Sequence, residues 1–181
     1  KELYIEDIIF ELFNININPN VLLTEYCDKY SFQSIKKITA VRYVTHILNY
    51  DNVYVMDSEG SFIRPFSFTK IIKDYLKTKK IYYYPRKRKK TTQCKISGEI
   101  FNKETPGWLL ENYLWIYEKK IVEDFCCFIF KNITDVESLT NIIKKGTFIE
   151  ILYYHFIYLN NNKYNYKFID SNNLLKFCNS D

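Results

Sequence analysis

Between Ile81 and Lys90 the chain reads IYYYPRKRKK, three tyrosines in a row, then a proline and a run of cations. Few backbones suit that order. Aromatic side chains favour strands, a proline interrupts any regular ladder, and a block of like charges keeps to solvent. The expectation is a strand through the tyrosines. Successive strand side chains point to opposite faces, so Tyr82 and Tyr84 share one face and Tyr83 takes the other. Two rings side by side present negative quadrupole potential, against which a desolvated quaternary ammonium gains ~2 kcal/mol or more. Tyr82 and Tyr84 are thus candidate walls of a cage for methyl-lysine. The same pattern also suits a strand that fills a core, because tyrosine is frequent along the whole chain, with 17 copies.

The length, 181 residues, suits one domain with a sizeable core. Apolar residues make up 47% and Gly and Pro only four each, which excludes collagen-like and low-complexity structure and argues against disorder. Abundant Asn, Lys, Tyr and Ile are also what an AT-rich genome encodes. The net charge of +5 favours anionic partners mildly, but Arg86, Lys87, Arg88, Lys89 and Lys90 form one block. That block suits either contact with phosphates or an acidic surface, or a solvated loop. Five cysteines (Cys27, Cys94, Cys126, Cys127 and Cys178) without CxxC spacing fit a reducing compartment better than a disulfide framework. The longest apolar run, Phe125 to Phe130, is far short of the ~20 residues that span a bilayer, so no membrane segment is expected. The first residues lack a signal-peptide pattern, and a start at Lys1 is what an excised fragment would have.

Taken in order, Leu3 to Phe13 has a helical period with acids early, and Asn14 to Asn20 ends it. A second short helix is expected over Val21 to Tyr30. β-Branched and aromatic residues then predict strands at Ser31 to Ala40, Val41 to Leu48, Val53 to Met56, Phe66 to Leu76 and the Tyr82 stretch, a meander in outline. Asp57 to Gly60 reads as a turn, and Thr91 to Trp108 as an irregular excursion. Strands follow at Tyr113 to Tyr117 and Phe125 to Phe130. Thr134 and Glu137 have capping-box spacing and open a helix that ends before Gly146. Phe148 to Leu159 and Tyr164 to Ile169 flank an Asn-rich tip and read as a hairpin. Ser171 to Asp181 is expected to add a last helical turn.

The chain has no phosphate-binding glycine loop, no GxSxG, no HExxH and no EF-hand loop. A pairing of Cys94 or Cys27 with a histidine remains open, though a lone His on an apolar stretch is usually structural. Cys126 and Cys127, on opposite faces of their expected strand, read as small hydrophobes. Trp115 alternates with Tyr113 and Tyr117 and makes an aromatic stripe suited to core packing. Glu111, Glu118, Glu123 and Asp124 surround it, and each is either a solvated strand-end charge or a partner for a lysine tail.

Several segments in order resemble one known family. They are Tyr30 to Val55 with Asp51, Val53, Tyr54 and Val55 at a D-x-V-Y-V strand, Phe66 to Ile72 at P-Y-I-A-R-I, and IYYYPRKRKKT at W-F-Y-R-P-E-E-T. Glu111 to Ile116 follows at N-E-L-F-L-S, Val122 to Thr134 at I-x-G-K-C-x-V with Cys126 at the cysteine, and Tyr153 to Tyr158 at F-Y-C-R-Y-E-Y. The series is similar to the bromo-adjacent homology (BAH) domain. That resemblance implies a mainly β fold with α additions, a barrel of short antiparallel strands with an N-terminal helical extension and one crossover helix. The divisions are 1–29, 30–170 and 171–181. It also implies a nuclear, non-catalytic chromatin module without metal or cofactor, which binds a histone tail, a nucleosome or other chromatin proteins. Tyr82 and Tyr84 take the cage positions, and Phe66 or Phe68 replaces the cage tyrosine that falls at Ser67. Glu118 supplies the acid of the peptide site, with Lys119 where some members have a histidine, and Trp115 is a further candidate peptide contact. The Arg86 to Lys90 block would meet DNA or an acidic surface. Two alternatives stay open: a scaffold of the same fold whose aromatics are core, and a barrel that binds nucleic acid by stacking and phosphate contact.

Overall fold

In the computed structural model of the chain, residues 2–56, 67–85, 91–109, 115–141, 143 and 148–172 are described. They are mainly helical, and the expected β-barrel is absent among them. The strand content is two separate two-stranded sheets.

The first helix, α1 (Ile5–Phe13), forms where its period places it and ends at Asn14 in the left-handed region, φ 56°. A short helix, α2 (Pro19–Val21), starts on the Asn18 cap and runs into a π-helical turn, Leu22–Tyr26. The first large correction is α3 (Lys29–His46), one continuous helix where two strands were expected. Its Asp28 Oδ1 accepts the Ser31 N–H at 2.7 Å, a cap worth ~1 kcal/mol. The buried residues Ser31, Ser34, Ile35, Ile38, Val41 and Thr45 fall on one helical stripe. β-Branched residues disfavour a helix only by tenths of a kcal/mol each, so burial of that stripe prevails, at roughly 1.5–3 kcal/mol per large apolar side chain.

The same reversal recurs. Phe66 to Leu76, expected to be extended, contains α4 (Phe68–Thr78), capped by Ser67 Oγ on the Lys70 N–H at 3.3 Å. Thr91 to Trp108, expected to be irregular, holds α5 (Thr92–Phe101) on a Thr91 cap. Phe125 to Phe130 lies mostly in α6 (Lys119–Ile129), which buries Ile121, Val122, Phe125, Cys126 and Ile129. Cys126 is therefore core, its thiol pushed up to about 12 by burial, and Cys127 is exposed. The helix expected after Asn132 is α7 (Val136–Asn141), with a cap one residue later than Thr134. Asp135 Oδ1 accepts the Ser138 N–H at 2.8 Å, while Ser138 Oγ accepts the Asp135 N–H at 3.0 Å.

No hairpin forms at Phe148 to Ile169. The first arm is α8 (Ile149–Leu159), apolar on every side and buried from Ile149 to Ile157, as a helix at the centre of a domain is. The Asn-rich tip is helical instead, in α9 (Asn161–Tyr164). Asn161 then holds both the N–H and the carbonyl of Tyr166, at 2.7 and 2.9 Å, and Asn165 turns the chain at φ 57°.

The strands β1 (Asn52–Val55) and β3 (Trp115–Glu118) pair antiparallel. The strands β2 (Lys80–Tyr83) and β4 (Lys167–Asp170) pair parallel, which requires the long crossover that α5 to α9 supply. One core joins both sheets to α8, with Tyr117, Phe125, Tyr153 and Tyr154 among its fully buried residues. The turn at Asp57 to Gly60 and the last turn from 173 onward lie outside the described residues.

Candidate aromatic site beside the parallel strands

The register of the parallel pair sets Lys80 against Lys167, Ile81 against Phe168, Tyr82 against Ile169 and Tyr83 against Asp170. Partners in a sheet share a face and faces alternate along each strand. One face therefore carries Lys80, Tyr82, Lys167 and Ile169. The opposite face carries Ile81, Tyr83, Phe168 and Asp170. These faces differ in charge: the first has two exposed lysines opposite one another and no carboxylate in either strand, the second a carboxylate and no lysine. A cation is repelled from the first and attracted to the second.

The second face meets the end of α8. Tyr158, in the last turn of that helix, stands edge to face with Phe168, ring centroids 5.1 Å apart and planes at 82°. Ile81 is fully buried below, while Tyr158 is 41% exposed, so the aromatic group opens at the rim of the core. Burial, the Asp170 carboxylate and the Tyr158 phenol all raise the pKa of Tyr83, which puts the three side chains in one electrostatic neighbourhood. Asp170 Oδ1 accepts the Asn172 N–H at 2.8 Å. The last turn of α8 contains no basic residue, so the partial negative charge of its C-terminus is not offset from within the helix. Two perpendicular rings, a second phenol and a carboxylate thus share one neighbourhood, a combination that suits an organic ammonium group.

Neither a family model, nor a curated protein, nor a solved structure gives a significant match. The BAH resemblance rests on the sequence series alone, and the described residues form a mainly helical fold without the barrel it implies.

Tyr82 and Tyr84, the expected cage walls, are both half-buried. Tyr84 lies beyond β2 and exchanges N–H to carbonyl bonds of 3.1 Å each way with Trp108. It packs on the small core of Cys94, Trp108 and Ile151. Gly107 permits this approach, because a Cβ there would stand 2.3 Å from the Tyr84 carbonyl oxygen. Phe68, 42% exposed, packs on Tyr54 of β1 with centroids 5.4 Å apart. Phe66, Glu111, Tyr113 and the whole Arg86 to Lys90 block lie outside the described residues.

Trp115 and Glu118 have internal partners. The Lys37 ammonium sits 4.7 Å from the Trp115 ring centroid and donates to Glu150 Oε1 at 2.6 Å, so a cation of the chain itself occupies the tryptophan. Glu118 accepts from the Tyr166 hydroxyl on one oxygen and from Lys79 Nζ at 3.3 Å on the other. Its backbone N–H donates to the Tyr153 hydroxyl at 3.1 Å. Burial first, then the neighbouring Tyr75 and Tyr153 and the Glu118 carboxylate, raise the Tyr166 pKa far above its usual value. This network ties α4, β3, α8 and the approach to β4 together, a structural use of the acid that the sequence assigned to a peptide.

The open thiol-imidazole pairing takes another form. His155 Nε2 lies 3.2 Å from the Glu104 carbonyl, which can only accept, so Nε2 carries the proton and Nδ1 accepts from Ser97 Oγ at 2.8 Å. Both Ser97 and His155 are fully buried. Cys94 Sγ turns to the Gly107 carbonyl at 3.6 Å, and Cys27 Sγ to that of Leu22 at 3.1 Å. Among the described residues no cluster of His, Cys, Asp and Glu could hold a metal ion, and no helix is long and apolar enough to cross a membrane.

The residues that sequence reasoning missed are Tyr83, Tyr158, Phe168 and Asp170. Period two put Tyr83 on the face opposite Tyr82, but the carboxylate that marks that face comes from β4. Only the parallel pairing brings it there.

Proposed function

We propose that this chain is a non-catalytic binding module that receives a lysine side chain, with its ammonium methylated, from a basic peptide tail. Histone tails are the ligand class, and a nuclear, chromatin-associated role follows from that choice. The observation that carries the reading is the perpendicular pair Tyr158 and Phe168 beside Asp170, on the strand face without lysine. Further support comes from the sequence series, in which the YYY stretch stands at a cage segment. The cage moves from Tyr82 and Tyr84 to Tyr83 and its neighbours.

A cation over such rings gains about 0.5–2 kcal/mol, and a nearby carboxylate adds to it. Affinities in the micromolar range therefore need contacts from the rest of the tail. The test is a titration of the chain with histone H3 and H4 tail peptides in each methylation state, repeated with Tyr158→Ala. Binding that Tyr158→Ala weakens about tenfold or more supports the reading. A folded wild-type chain that binds no peptide overturns it.

A further inference from the structure

We infer that the site formed by Tyr83, Tyr158, Phe168 and Asp170 selects ammonium groups that keep at least one N–H, so that monomethyl- and dimethyl-lysine bind more tightly than trimethyl-lysine. This rests on the cation-binding reading above. Asp170 is half-buried at the end of β4, directly opposite Tyr83. The Asn172 N–H engages Oδ1, and among the described residues nothing donates to Oδ2 and no cation pairs with it. Oδ2 thus keeps acceptor capacity on a carboxylate whose charge reaches Tyr83.

An ammonium with an N–H satisfies that oxygen by a charge-assisted hydrogen bond while its methyl groups lie on the rings of Tyr158 and Phe168. A quaternary ammonium has no proton to give. It keeps the Coulomb attraction, but its methyl groups hold the charge away from the carboxylate, and it forms no hydrogen bond to Oδ2. An unmethylated ammonium can donate, yet it is a compact, strongly hydrated charge that gives up more water to enter. The expected order is dimethyl and monomethyl first, with trimethyl and unmethylated lysine behind.

Two small ions isolate the deciding difference without any peptide. Trimethylammonium reproduces the head of dimethyl-lysine and has one N–H, whereas tetramethylammonium reproduces trimethyl-lysine and has none. Their chlorides are titrated into the isotope-labelled chain, and the NMR signals of Tyr83, Tyr158, Phe168 and Asp170 are followed. Trimethylammonium is expected to bind about tenfold tighter than tetramethylammonium. Asp170→Asn should bring the two to within about twofold, because an amide no longer provides a charged acceptor. Tetramethylammonium equal or tighter on the wild-type chain overturns the selection and leaves the cation site standing. Shifts at these residues with neither ion, together with no peptide binding, overturn both.

Discussion

Lys37 and Glu150 form an ion pair of 2.6 Å in which the carboxylate is 1% exposed and the lysine 26%. The pair links α3 to the first turn of α8, and the Trp115 ring covers the ammonium. Among the described residues Lys37 is the cation that a carboxylate in that position relies on. Lys37→Met is expected to destabilise the fold by roughly 3 kcal/mol, because the remaining Glu150 charge is left buried and uncompensated. Adding Glu150→Leu to that variant should recover most of the loss. Urea unfolding of the two single variants and the double variant measures this, and a double variant no more stable than Lys37→Met would contradict it.

His155 makes the fold sensitive to mild acid. Burial lowers its pKa from 6.5 to about 4, against a smaller opposing effect of the Glu104 carbonyl. The unfolded chain then takes up this proton more readily than the folded one, so stability is full above pH 6.5 and falls as the pH drops toward about 4. At ~1.4 kcal/mol per unit the loss across that window is roughly 3 kcal/mol. At Asp124 burial raises the pKa, but hydrogen bonds from Lys163 and Tyr164 with the nearby lysine charges outweigh it and lower it, and hydrogen bonds from Ser138 lower that of Asp135. Their stabilisation is lost only at more acidic pH, as each is protonated below the ordinary carboxylate range. Unfolding midpoints at a series of pH values should slope steeply in the wild type and much less in His155→Gln. Equal slopes would mean that His155 is not the group responsible.

Two glycines should respond in opposite directions to alanine. Gly107 has φ +154°, and an added Cβ would lie 2.3 Å from the Tyr84 carbonyl oxygen and 2.8 Å from its carbon. Gly107→Ala is expected to cost roughly 3 kcal/mol or more, since the backbone of Tyr84 has to move. In α5, a Cβ at Gly98 meets the Lys103 carbonyl oxygen at 3.4 Å and the Glu104 Cα at 4.0 Å, ordinary van der Waals distances. Gly98→Ala should therefore stabilise by roughly 0.5 kcal/mol, through helix propensity. Thermal unfolding of both variants decides it.

The first helix, the short strands at Val53, Tyr82 and Trp115 and the helix after Asn132 were legible, because each is set by local period or by caps. The helices α3, α4, α6 and α8 were not. Their β-branched and aromatic residues carry strand propensity, while the stripes at Ser31, Ser34, Ile38 and Val41, or at Ile121, Val122, Phe125 and Cys126, carry the helical period. Period reflects which face is buried, and burial outweighs propensity. At α8 even the period fails, because every side of that helix is covered. The candidate site needed a further fact. Tyr83 and Asp170 are 87 positions apart in the sequence and meet only because β4 pairs with β2, not with the segment before it. Nothing local in an Asn-rich stretch separates a hairpin tip from the Asn161 turn that swings the chain into that pairing.

The two faces of β2 can be told apart by reversing charge on each. Lys80 and Asp170 belong to the same strand pair but to opposite faces, since Lys80 shares a face with Tyr82 and Asp170 with Tyr83. Asp170→Lys sets an ammonium of the chain beside Tyr158 and Phe168, where it repels an incoming cation and competes for the same rings. Binding of trimethylammonium should fall beyond detection. Lys80→Glu changes charge by the same amount with opposite sign, but on the far side of the sheet and exposed to water, where screening leaves little of it. Its effect should stay within about twofold. Circular dichroism and the melting temperature establish that both variants keep the fold. The opposite pattern, a large gain in Lys80→Glu and no loss in Asp170→Lys, would move the ligand to the Tyr82 face, where the sequence alone had placed it. Because both substitutions alter charge while the rings stay intact, the comparison asks about the location of the cation and not about the aromatic core.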